Sequence, residues 1–141
     1  MYATVNDLRA RYDRAANPEL TQLTGGPGAP GPDLARLGQA LTEATGEMDD
    51  AFRARYAVPL TGVSVPTAER LAQVCCDIAR YRLWADAANE EVVRRYHDAR
   101  EWLRDIARGV MSLDAAGPSI AAAPAHRAPE PTFSPERLSD Y

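Results

Sequence analysis

The stretch DLARLGQALTEATGEMDDAF, residues 33–52, decides the fold. Leu34, Leu37, Leu41, Ala44, Met48 and Ala51 recur there in steps of three and four, with Phe52 at the flank. That spacing lays an apolar stripe along one face of an α-helix. Arg36, Gln39, Glu43, Asp50 and Arg53 fall on the other faces. Asp33 has the side chain of an N-cap, and the helix is expected to run to about Tyr56. Gly38 and Gly46 weaken it by up to ~1 kcal/mol each relative to alanine.

Downstream, VPLTGVSVP at residues 58–66 is expected to be extended, because each proline disfavours helix in the residue before it. Thr67 is the expected cap of a further helix, with Arg70 rather than Glu at the capping-box position. Leu71, Val74, Cys75, Ile78, Tyr81 and Trp84 form its apolar face, Arg80 and Arg82 point elsewhere, and it is expected to end near Ala88. Asn89 caps the last helix, with Glu90 and Glu91 in its first turn, where the helix dipole favours acids. Its stripe is Val92, Val93, Tyr96, Ala99, Leu103 and Ile106, and Gly109 is the expected residue after its end. Upstream, Thr4 caps a first helix expected over residues 5–15. Asn17-Pro18 restarts the pattern as cap and first helical residue of a short helix over 18–23. TGGPGAPGP at 24–32 is a surface loop.

The chain therefore reads as all-α, a small bundle of four to five helices over residues 1–113, with a short extended arm at 110–113. Residues 114–131 are rich in alanine and proline and are expected to be a flexible linker. In the tail at 132–141, Phe133, Leu138 and Tyr141 stand as apolar anchors among polar residues, the form of a docking peptide.

The 141 residues carry a net charge of −4, which argues against a DNA-binding domain with a basic face. All 16 basic residues are arginine, which fits a GC-rich genome and also suits forked contacts at subunit interfaces. Cys75 and Cys76 are adjacent, point about 100° apart on a helix and so do not pair with each other. The start lacks the basic and apolar regions of a signal peptide, and no apolar run approaches a membrane span, so synthesis in the cytoplasm is expected.

Catalytic constellations are missing. His97 with Asp98 and Glu101 has the outline of a metal half-site, but a solvated helix face is the expected reading. His126 lies in the expected linker. Asp49 and Asp50 diverge on their helix and cannot converge on one ion. The glycine-rich loop at 25–31 lacks the GK[ST] ending of a phosphate cradle. No catalytic residue, cofactor or metal is expected. Arginines 94, 95, 100, 104 and 108 interleave with acids, giving possible pairs Glu91–Arg95, Arg94–Asp98, Glu101–Arg104 and Asp105–Arg108.

Several segments, in order, resemble the Mu-like phage head–tail connector family. They are Met1-Tyr2-Ala3-Thr4 with Asp7-Leu8 and Arg11, ELTQLT at 19–24, RARYAVPL at 53–60, CDIARYRL at 76–83, and YHDA with WLRDIA at 96–107. The likeness covers about residues 1–113 and resumes more weakly at 133–141. The loop at 25–32 departs from the family's polar, Asp- and Gly-containing turn.

The resemblance implies a structural protein of the virion neck, made in the host bacterium. It would dock on the portal as a homo-oligomeric ring of about twelve copies, meet neck or tail completion proteins, and let DNA pass without sequence-specific binding or contact with a membrane. Arg53, Arg94, Arg95 and Arg104 are then the candidate subunit-interface residues, and Phe133, Leu138 and Tyr141 the candidate docking residues. The alternative reading is a small helical DNA-binding regulator of a prophage.

Overall fold

The computed structural model describes residues 1–115; the expected linker and the anchors Phe133, Leu138 and Tyr141 lie outside the described residues. Five α-helices make up the fold: α1 (Val5–Tyr12), α2 (Glu19–Thr24), α3 (Leu34–Phe52), α4 (Val65–Trp84) and α5 (Glu90–Ala107). A single 3-10 turn, Ala85–Ala87, joins α4 to α5. A minimal antiparallel pair, β1 (Asp13–Arg14) with β2 (Asn17–Pro18), joins α1 to α2. α3, α4 and α5 pack against one another as the bundle, and α1 and α2 lie against α4.

The stripe read from residues 33–52 builds the core from Leu37 onward; Leu34, expected in it, is exposed at the start of α3. Leu37, Leu41, Met48 and Phe52 are fully buried against Cys75 and Ile78 of α4 and Ile106 of α5. Each such side chain stabilises the fold by about 1.5–3 kcal/mol relative to leaving it in water. Phe52 is met edge-on by two rings, Tyr2 at 5.7 Å and Trp102 at 6.3 Å. Leu8 and Leu20 carry α1 and α2 onto the same core.

Local signals set most of the ends. Thr4 and Asp7 form a reciprocal capping box on α1. Asp33 accepts from the amides of Ala35 and Arg36, and Asn89 from that of Val92. α5 ends in a Schellman motif: the Gly109 amide donates to the Ile106 carbonyl and the Val110 amide to that of Asp105. Gly109 has φ +80°, the conformation that motif requires.

Five boundaries differ from expectation. α1 stops at Tyr12 rather than residue 15, because Asp13 turns its carboxylate toward α2, accepting from the Thr21 amide and hydroxyl at 3.0 Å each. Asn17 is therefore a strand residue and not a cap; Asp13 does the capping from the other strand. α4 begins at Val65 with Ser64 as its cap, not Thr67, and Pro66 sits in the first turn, where a missing N–H breaks no helical bond. α3 ends at Phe52, four residues before Tyr56, and α4 at Trp84, with Ala85 at φ +50° breaking the helix.

The stretch at residues 110–115 forms no helix or strand in place of the expected arm. It folds back instead. The Leu113 amide donates to Tyr56 Oη at 2.7 Å, and Thr67 donates to the Asp114 carboxylate. No helix among the described residues is long and apolar enough to cross a membrane.

Candidate functional site

Asp77, Arg80 and Trp84 recur at i, i+3 and i+7 on α4 and face the α1–β1–β2–α2 segment. Arg80 is 6% exposed, and its guanidinium uses all three nitrogens. Nε donates to Glu19 Oε2 at 2.7 Å, Nη2 to Glu19 Oε1 at 2.8 Å, and Nη1 to Glu91 Oε1 at 3.1 Å. Its plane also lies over the Tyr12 ring, 4.2 Å from the centroid. Trp84 Nε1 gives Glu19 a third hydrogen bond at 3.0 Å. Tyr12 donates its hydroxyl to Asp77. Glu19 sits in the first turn of α2, where the helix dipole favours a negative charge.

The charges of this cluster are set by burial and by each other. Burial works against the charge on Arg80, but its hydrogen bonds to Glu19 and Glu91 outweigh it and hold the guanidinium charged. Burial pushes Asp77 above the ordinary aspartate range, opposed by the Tyr12 hydrogen bond and by Arg95, Arg80 and Arg11. Burial, then the bond to Asp77, raises the Tyr12 hydroxyl. Arg80 holds Glu91 below the usual carboxylate range.

Above this buried cluster opens a cleft of about 480 Å³, rimmed by Arg11 and Arg14 and by Arg95 of α5. A second cleft of about 210 Å³ continues from Arg95 between α4 and α5, reaching Arg94, Asp98 and Arg70. Together they form a groove along the α4–α5 pair. From Arg80 to Arg70 it follows ten residues of α4, about 15 Å at 1.5 Å per residue. Its arginine forks can take carboxylates two oxygens at a time.

The candidate interface arginines separate in space. Arg94 and Arg95 both line the groove. Arg104 borders another cleft with Glu47 and Arg100. Arg53 lines neither and pairs with Asp50 at 2.8 Å. Of the helical pairs read from spacing, Glu91–Arg95, Glu101–Arg104 and Asp105–Arg108 are present at 3.3, 2.7 and 3.2 Å. No Arg94–Asp98 pair forms; both side chains line the groove instead. Sequence reading missed Arg11, Arg14 and Arg70, and it placed Arg80 away from the packed face. It had no signal for a partner at Glu19, 61 residues away. His97 is exposed on α5, and the described residues hold no cluster of three or more His, Cys, Asp or Glu arranged for a metal.

Comparison with known proteins adds to this geometry. A family model described as Bacteriophage Mu, Gp36 matches residues 2–129. Gene product J of Escherichia phage Mu is 36% identical over 108 residues, covering 77% of this chain and 72% of that protein. The Mu-like prophage FluMu protein gp36 of Haemophilus influenzae is 33% identical over 113 residues, covering 80% and 75%.

Proposed function

The chain belongs to the Bacteriophage Mu Gp36 family, and on that premise we propose that it is a structural adaptor of the virion neck. In this reading it joins the portal to the next neck or tail component and closes into a ring of about twelve copies by repeated heterologous contacts. The observation that carries the reading is the family match over residues 2–129, together with the ordered connector-like segments along residues 1–113. The geometry supports it: a bundle fastened by a buried ion-pair cluster presents charged helix faces without needing to refold. The chain has no assigned catalytic role or cofactor in this reading, and its net charge of −4 suits a wall past which DNA moves without sticking.

The test is mass measurement by size-exclusion chromatography with light scattering, alone and with the portal encoded in the same genome. A ring-sized species or capture of the portal is expected. A monomer that ignores the portal overturns the reading. Salt-sensitive binding of DNA at micromolar concentration or tighter, in a gel shift, would favour the prophage regulator instead.

A further inference from the structure

The cleft of about 480 Å³ above the Arg80 cluster is lined by four arginines, Arg11, Arg14, Arg80 and Arg95, and by two carboxylates, Glu19 and Glu91. Both carboxylates are already engaged. Glu19 accepts two hydrogen bonds from Arg80 and one from Trp84, and Glu91 accepts one from Arg80. The Arg11 and Arg14 guanidiniums make no ion pair among the described residues. Arg95 stands 3.3 Å from Glu91 without a hydrogen bond, and its Nε is shut off from water with no acceptor. The cleft thus carries two positive charges more than its carboxylates balance. Adding the neighbouring cleft, with Arg70 and Arg94 against Asp77 and Asp98, leaves the same excess of two.

The excess is concentrated at one opening. Arg11 comes from α1, Arg14 from β1 and Arg95 from α5, so three elements deliver their guanidiniums to the same cleft. Against the burial that raises Asp77, the charges of Arg95, Arg80 and Arg11 all act on its carboxyl, beside the Tyr12 hydroxyl. Like charges gathered this way repel, and an anion among them replaces repulsion with attraction. A carboxylate is flat and offers two oxygens. A phosphate group is tetrahedral and can meet arginine forks arriving from three sides. Its charge of about −1.5 to −2 at neutral pH also matches the excess. Duplex DNA fits less well: each of its phosphates carries a single charge, and the exposed Glu91 and Asp98 would repel the rest of its backbone.

We propose that this cleft binds a phosphate dianion, free or at the end of a small monoester, between Arg11, Arg14 and Arg95. Arg80 serves the site from below by holding the Glu19 and Glu91 carboxylates. The cleft is larger than a bare phosphate and leaves room for the organic part of an ester. The assignment stands on the cleft alone and is independent of the adaptor reading.

Isothermal titration calorimetry on the full chain tests it, with inorganic phosphate and phenyl phosphate as probes at about pH 8 and constant ionic strength. One saturable site per chain is expected, with a Kd of about 1 mM or below for at least one probe, and the tighter probe names the source, free phosphate or ester. Acetate is expected to bind at least about tenfold more weakly. Arg11→Gln with Arg14→Gln should weaken the tighter probe by about tenfold or more. Arg36→Gln with Arg100→Gln, which removes the same charge elsewhere, should leave it unchanged. All four positions are exposed, and circular dichroism checks that both variants are folded. No saturable binding of either probe, acetate binding as tightly as phosphate, or equal losses in the two variants would each overturn the proposal. So would duplex DNA that binds through Arg11 and Arg14 and is not displaced by phosphate.

Discussion

Arg80 grips Glu19 through two parallel hydrogen bonds of 2.7 and 2.8 Å, joining the C-terminal part of α4 to the first turn of α2. Both side chains are almost out of water, at 7% and 10% exposure. A buried pair of this kind owes its effect to completeness, since removing one partner strands the other charge. Arg80→Ala is expected to destabilise the fold by about 3–5 kcal/mol in urea titrations. The double variant Arg80→Met, Glu19→Leu is expected to lose much less. A double variant as unstable as the single one would show that packing, not a stranded carboxylate, sets the cost.

Asp77 gives the fold a pH dependence that can be signed. Burial raises its native pKa above the unfolded value, so the native state binds the proton more tightly. That contribution is fully present below about pH 3.9, the ordinary aspartate value, and is lost as pH rises through the raised native pKa. Asp77→Asn cannot ionise and can still accept from Tyr12. Its stability relative to wild type should therefore improve between pH 4 and pH 7, measured as the difference in urea midpoint. Glu91 has the opposite slope, with a lowered pKa, but it is present in both proteins and drops out of the comparison. An unchanged difference across that range would contradict the assignment.

The two thiols should be silent in the folded protein. Cys75 and Cys76 are fully buried; burial and then Cys75 push Cys76 up to about 12, and burial raises Cys75 as well. A thiol reagent at pH 8 is expected to label neither under native conditions and both in denaturant. Fast native labelling at either position would mean that α4 opens locally.

Two glycine substitutions should have opposite signs. Gly109→Ala places a side chain at φ +80°, beside the Arg55 guanidinium, and should cost about 1–2 kcal/mol, chiefly from the backbone. Gly38→Ala adds a methyl group to open space inside α3 and should stabilise by up to about 1 kcal/mol. Thermal melts of the two variants check both. A stabilising Gly109→Ala would contradict the left-handed turn at the end of α5.

What could be read beforehand follows the range of the interaction. Asp33, Asn89, Thr4 and Gly109 act on amides or carbonyls within a few residues, and each does what its local pattern indicates. The apolar stripe of α3 was legible because helical periodicity alone sorts Leu37, Leu41 and Met48 to one side. Pro66 misled, because a proline reads as a breaker unless the cap before it, Ser64, is seen to place it in a first turn. Asn17-Pro18 misled for a different reason: Asp13 outcompetes Asn17 as a cap from across the turn. The buried fork and the groove were illegible, since Arg80–Glu19 and the meeting of Arg11 with Arg95 depend on how distant elements pack. Spacing along α5 found three pairs that hold and gave Arg94 one it does not make.

The turn at Gly109 also sets a boundary on reach. It sends the backbone back to Tyr56 and Thr67, so residue 115 starts from one fixed corner of the bundle, beside the beginning of α4. Residues 116–141 can extend no farther than about 90 Å from that corner, at ~3.5 Å each. Any surface that Phe133, Leu138 or Tyr141 is to meet must lie within that radius. The corner is at the Arg70 end of the groove, so whatever follows residue 115 departs from beside Thr67 and Arg70.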